Sequence, residues 1–137
     1  MITKKYLDEL THKIFSSAIE VHRHIGAGLL EKTYEKCFTH ELSLRGISFK
    51  AQQPVPLHYK GISFEAELRY DVLVEDLIVV ELKSIEGIMP IHKSIVLNYM
   101  SMLEKPKGII INFNCTNIMK EGQKTLVNEI YRALPDQ

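Results

Sequence analysis

Tyr70-Asp71-Val72-Leu73-Val74-Glu75-Asp76-Leu77-Ile78-Val79-Val80-Glu81-Leu82-Lys83 reads as two apolar strands joined through a short acidic turn. Runs of Val, Leu and Ile of this length mark strands. The second run, Leu77 to Lys83, is apolar on both faces until Glu81, as in a strand covered on both sides. Charged groups seldom enter such strands, because an unpaired buried charge is costly or neutralises. Asp71, Glu81 and Lys83 therefore need a reason. Either they satisfy one another as a salt-bridged hairpin, or they hold a divalent cation beside a phosphate.

Register separates the two readings. With a strict two-residue loop at Glu75-Asp76, Val74 pairs with Leu77, Asp71 falls opposite Val80, and Glu81 points to the other face. A metal site needs an odd loop, such as Glu75-Asp76-Leu77, or a bulge. Asp71 and Glu81 then become cross-strand neighbours whose like charges repel. Mg²⁺ relieves such a pair, taking one or two carboxylates and keeping water and phosphate oxygens as its other ligands. Glu81 and Lys83 share a face in any regular strand. Lys83 could there orient or deprotonate a water, or stabilise charge developing in the transition state.

The rest of the chain reads outward from this hairpin. Residues 3 to 24 carry Leu7, Leu10, Ile14, Phe15, Ala18 and Val21 at helical spacing, and Gly26-Ala27-Gly28 breaks the pattern. A second helix is predicted from Leu29 to Arg45, stopping at Gly46. Residues 47 to 59 read as extended, with Pro54 and Pro56 pointing to an edge. After the turn at Lys60-Gly61, one alternation runs from Ile62 to Val74. It puts Ile62, Phe64, Ala66, Leu68, Tyr70, Val72 and Val74 on one side, and Ser63, Glu65, Glu67, Arg69 and Asp71 on the other. Pro90 opens a helix over 90 to 104, with Ile91, Ile95, Val96, Tyr99, Met102 and Leu103 on its buried side. Lys107 to Phe113 is a buried strand, and Gln123 to Leu134 reads as a helix. The order α-α-β-β-β-α-β-α predicts a mixed sheet with helices on both faces, in one domain over 1–137.

Composition excludes several classes. The 137 residues are 45% apolar and 25% charged, the balance of a globular chain. Lys plus Arg equals Asp plus Glu at 17 each, so there is no overall basic field of a non-specific nucleic-acid coat. Contact with DNA or RNA would need a local basic patch or a metal. No segment approaches the roughly 18 apolar residues of a membrane helix, and the polar start at Met1-Ile2-Thr3-Lys4-Lys5 is no signal segment. Cys37 and Cys115 are too few for a disulfide framework or a zinc ribbon and read as reduced, buried thiols in a cytoplasmic protein. His22, His24 and His40 lack metal-ligand spacing, and Gly26-x-Gly28 lacks the Lys and preceding strand of a phosphate loop. The apolar side of the first helix, or the tail, could serve a homodimer.

Glu31 is a second acidic candidate. It shares a helix side with Tyr34 and Phe38. An acid in a first turn also favours the helix dipole without any other role.

Gly28-Leu29-Leu30-Glu31-Lys32-Thr33-Tyr34 spells GxxExxY. Further on come Gln52-Gln53-Pro54-Val55-Pro56, Tyr59-Lys60-Gly61, Asp71, Glu81-Leu82-Lys83, His92, Asn98-Tyr99 and Gly108-Ile109-Ile110-Ile111-Asn112-Phe113. In that order, over roughly residues 10 to 115, the chain resembles the GxxExxY proteins, a branch of the PD-(D/E)XK nuclease-like superfamily. The resemblance implies a restriction-endonuclease-like three-layer α/β/α core with a mixed sheet and two N-terminal helices. It implies that Asp71, Glu81 and Lys83 occupy the metal and catalytic positions, with Mg²⁺ or Mn²⁺ as cofactor. Glu31 is implied as an extra acid from the preceding helix, a further metal ligand or an acid that orients the ligands. Tyr34, His92, Asn98 and Tyr99 are the implied flanking residues, and DNA or RNA phosphodiesters the implied substrates. Relatives often carry Gln four residues before a Tyr in the helix after the ExK strand. Here Ile95 stands there, ahead of Tyr99. An Ile cannot hydrogen-bond a phosphate or a carboxylate, so either Lys93 or Asn98 compensates or the site is weakened.

Overall fold

A computed structural model describes residues 1–137, the side chains of Ala66 and Glu67 excepted. The chain opens with α1 (Lys4–Ile25), started by Thr3, whose hydroxyl accepts the Tyr6 N–H at 3.0 Å. Gly26 ends it at φ +72°, a backbone region that side chains with a Cβ rarely adopt. Helix α2 (Glu31–Leu44) returns alongside. The next elements are β1 (Phe49–Ala51), β2 (Pro54–Tyr59), β3 (Ile62–Arg69), β4 (Val72–Val74) and β5 (Ile78–Lys83). Helix α3 (Pro90–Leu103) follows, with Pro90 in its first turn, and then β6 (Lys107–Asn112), α4 (Ile118–Glu121), β7 (Gln123–Val127) and α5 (Glu129–Arg132).

The main sheet is mixed, in the order β1-β4-β5-β6-β7, and only the β5–β6 pair is parallel. Alternation along its strands feeds two cores. Val72, Val74, Ile78, Val80, Leu82, Ile109 and Ile111 pack with the buried sides of α1 and α2. Leu73, Val79 and Ile110 pack with Val96, Tyr99 and Met100 of α3. The result is the α/β/α arrangement, with the parallel pair at its centre. Each fully buried Ile, Leu or Val there contributes about 1.5–3 kcal/mol.

Closeness of α3 to β6 rests on one residue without a side chain. A Cβ on Gly108 would lie 2.5 Å from Val96 Cγ1 and 2.7 Å from Met100 Sδ. Val96 is branched and stiff, so the helix would have to move. Gly108→Ala is expected to destabilise the fold by about 1–3 kcal/mol, read as a lower midpoint in urea with an unchanged slope.

Four sequence readings change. The alternation from Ile62 to Val74 is two strands, not one. It breaks at Tyr70-Asp71, where Tyr70 turns into the α3-side core while Val72 and Val74 face α1 and α2. Strand β3 pairs with β2 in a separate two-stranded sheet, leaving Ile62 and Phe64 exposed; the readings for the Ala66 and Glu67 side chains lie outside the described residues. Second, Gln123 to Leu134 is not one helix. β7 pairs antiparallel with β6 and covers the edge that this buried strand would otherwise leave open. Third, Ile91 and Ile95 of α3 are exposed, and Met100 takes a place in the core against Gly108. Fourth, Cys37 and Cys115 are free thiols but only partly buried.

Candidate active site

The hairpin loop has the odd length that brings the two acids together. Strands β4 and β5 pair Val74 with Ile78, Leu73 with Val79 and Val72 with Val80, so Glu75-Asp76-Leu77 forms the loop. Glu75 and Asp76 take positive φ (+49° and +59°), and the Leu77 N–H donates to the Val74 carbonyl at 2.9 Å. The acidic turn itself has structural partners: the Tyr6 hydroxyl donates to Glu75, and Lys105 pairs with Asp76 at 3.2 Å. One step beyond Val72 and Val80, Asp71 meets Glu81.

Their contact is reciprocal. The Asp71 N–H donates to Glu81 Oε1 at 3.0 Å, and the Leu82 N–H donates to Asp71 Oδ2 at 2.8 Å. Glu81 is only 6% exposed. Burial first, and then the charge of Asp71, push its carboxyl up to about 8; the Asp71 N–H and the nearby Lys83 charge offset part of this. Glu81 is thus a buried carboxyl beside the partly buried carboxyl of Asp71, and the raised value means that it readily holds a proton.

The site faces α3. Asp71, Glu81 and Lys83 share the strand parity of Leu73 and Val79, which pack on that helix. Burial, followed by the charges of Glu81 and Asp71, raises the Tyr99 phenol. Tyr99 therefore lies beside the acids. Ile95 is 36% exposed one turn earlier in α3, and Asn98 is exposed. His92 is engaged elsewhere: its Nδ1 accepts the Met89 N–H at 2.8 Å and caps α3.

The heptapeptide around Glu31 has a physical logic. Tyr34 is fully buried and stacks on Phe113 with ring centroids 4.3 Å apart. Its hydroxyl donates to the Gly26 carbonyl at 2.6 Å and accepts the Leu29 N–H at 3.2 Å, closing the loop between α1 and α2. Glu31 then meets the end of β5, where its Oε2 accepts the Ser84 N–H at 3.3 Å while the Ser84 hydroxyl donates to the Leu29 carbonyl at 2.6 Å. An open groove of about 520 Å³ lies there, lined by Leu29, Leu30, Glu31, Lys32 and Ser84. Tyr34→Phe keeps the stack but strands the Gly26 carbonyl and the Leu29 N–H. It is expected to cost about 1–3 kcal/mol, measured by thermal melting.

The structure brings Asp71 and Glu81 together, with Lys83 on their face and Tyr99 beside them. Glu31 stands at Ser84 instead of on the carboxylate pair. Among the described residues, no three acidic, His or Cys side chains converge closely enough to hold a metal ion.

Two residues near the pair escaped sequence reasoning as site groups. Gln52 Nε2 donates to Glu35 Oε1 at 2.7 Å and to Asp71 Oδ1 at 3.2 Å. Glu35 is half-buried; burial raises its carboxyl, Gln52's hydrogen bond offsets part of this, and Asp71's charge adds to the rise. Its spacing from Glu31, one helical turn, was the available signal.

The mixed α/β/α core thus carries a carboxyl pair, Glu81 buried and Asp71 partly so, with Lys83 at the end of a central strand. The family model of the PD-(D/E)XK nuclease superfamily matches residues 8–126, and the chain belongs to that superfamily. No curated protein and no solved structure matches it. Among the described residues, no helix is long and apolar enough to cross a membrane.

Proposed function

We propose that the chain is a divalent-metal-dependent phosphodiesterase acting on DNA or RNA, a cytoplasmic GxxExxY-type member of its superfamily folded as one domain over 1–137. The observation that carries this reading is the Asp71–Glu81 pair: two adjoining carboxyl groups, one of them buried and raised to about 8, with Lys83 on the same face. That donor set suits Mg²⁺ or Mn²⁺, which accept one or two carboxylates and leave their other positions to water and phosphate oxygens. When bound, such an ion polarises the phosphate and lowers the pKa of a water.

The chain's own groups have distinct tasks in this reading. Asp71 and Glu81 hold the cation. Backbone N–H groups of Leu82 and Asp71 fix the orientation of both carboxylates. Lys83 supplies positive charge toward the attacked phosphate and orients the nucleophilic water. Glu31 borders the groove beside Ser84, where it can order water or backbone next to the phosphate. Labelled single- and double-stranded DNA and RNA, incubated with Mg²⁺ or Mn²⁺, test the proposal. Absence of cleavage for every substrate would sink it.

A second reading is favoured by Ile95, an apolar and partly exposed side chain where relatives often carry Gln. It makes the chain a nuclease-fold module that binds nucleic acid or protein without cleaving it. Calorimetry with Mn²⁺ separates the two, since a module of this kind shows no binding at millimolar metal.

A further inference from the structure

Five described non-glycine residues have positive φ, and four of them close a hairpin or end a helix: Lys60, Glu75, Asp76 and Glu104. The fifth, Gln52 at φ +53°, sits at neither kind of place. It joins β1 to β2, opposite Asp71 in the row that continues to Glu81. A side chain rarely accepts this backbone region unless its surroundings over-determine it, and such residues gather at functional sites.

Gln52 is over-determined by four hydrogen bonds. Its N–H donates to the Asp71 carbonyl at 2.9 Å, and its own carbonyl accepts Arg69 Nη1 at 2.8 Å. Its side-chain amide donates one bond to Glu35 Oε1 and one to Asp71 Oδ1. With the Leu82 N–H on Oδ2, both oxygens of Asp71 are held from opposite sides.

We infer that Gln52 is a positioning residue of this site, whose neutral amide clamps the Asp71 carboxylate beside Glu81 and ties it to Glu35 of α2. The inference rests on the phosphodiesterase reading for its purpose, though the clamp itself does not. Charge gives the reason for an amide. Two N–H donors satisfy two anionic oxygens without cancelling their charge, so the negative field stays available to a cation. A lysine at this place would satisfy the same oxygens and compete with the cation.

Gln52→Gly separates clamp from scaffold, because glycine relaxes the positive φ while removing the amide. In the full chain, its melting temperature is expected to match or exceed that of the parent. Its Mn²⁺ affinity by calorimetry is expected to fall at least tenfold, and Gln52→Lys is expected to lose Mn²⁺ binding further. A Gln52→Gly protein that binds Mn²⁺ as tightly as the parent overturns the inference. A metal-free readout stands beside it: the Gln52 side-chain amide resonances should shift on Glu35→Ala. Free-amide positions unmoved by that change also overturn it. If the parent chain binds no Mn²⁺, the phosphodiesterase reading falls, and the amide response to Glu35→Ala alone decides the clamp.

Discussion

Asp71→Asn and Glu81→Gln should each reduce metal-dependent cleavage by about 10³-fold or more, roughly 4 kcal/mol of transition-state stabilisation. Each keeps the side chain's size and removes one of the two carboxyl groups that would hold a cation in the proposed reading. Lys83→Ala should cost about 10²–10³-fold, the usual scale for a positioned electrostatic group. Glu31→Gln should cost about tenfold, since its carboxylate contacts Ser84 and not the pair, and supporting residues of a metal site carry effects of about 10–100-fold. Initial rates on the preferred substrate with Mg²⁺ measure all four. Activity undiminished by Asp71→Asn or Lys83→Ala would remove this hairpin from the chemistry. Effects equal across all four would point to loss of fold, which melting of each variant checks.

The second large effect is on stability against pH. The Glu81 carboxyl is raised to about 8 in the folded protein, by burial and then by the charge of Asp71, against about 4.3 for a free glutamate. Between those values the folded state binds a proton that the unfolded state has released. Its contribution is therefore fully present below about pH 4, falls as pH rises, and is lost above about pH 8. Metal-free protein should lose stability from pH 5 to pH 8, and Glu81→Gln should remove most of that slope. At pH 8.5, Glu81→Gln should be the more stable protein, because each pKa unit by which the carboxyl is raised costs the ionised parent ~1.4 kcal/mol. Millimolar Mg²⁺ should raise the melting temperature of the parent at pH 8.5 and leave that of Glu81→Gln almost unchanged. Denaturant titrations across this range measure the slope. A parent whose stability rises through pH 5–8 would contradict the raised carboxyl. A more stable yet inactive Glu81→Gln would also show that its lost activity is not unfolding.

Several elements were legible because their signals are local. Strands β5 and β6 are runs with no polar face until their ends, and the structure buries both faces. Pro90 marks the start of α3, and Gly26 the end of α1. The loop parity was legible as a condition. If Asp71 and Glu81 were to meet, an odd loop or a bulge had to separate the strands, and a three-residue loop does. The break at Tyr70 was illegible because Tyr70 and Val72 continue one alternation while packing into different cores. Strand β7 has partly or fully exposed residues and no buried face of its own to mark it as a strand. Its state is set by the open edge of β6, which no local pattern records. Ile91 and Ile95 fit a buried helical arc, but Gly108 draws α3 in at Val96 and Met100 instead.

By itself, then, the sequence determined the central strands, the three long helices around them and the acids Asp71, Glu81 and Glu31 as candidates, because burial on one or two faces and the backbone limits of Gly and Pro act within a few residues. Which acids face one another was decided by the tertiary structure. Glu35 is hydrogen-bonded to Asp71 through Gln52, across sequence separations of 17 and 19 residues. Glu31 stops at Ser84, 53 residues away. Hydrogen bonds over such distances depend on strand register, on a positive φ at Gln52 and on the way α2 crosses the end of β5. None of these is a property of any one stretch of chain.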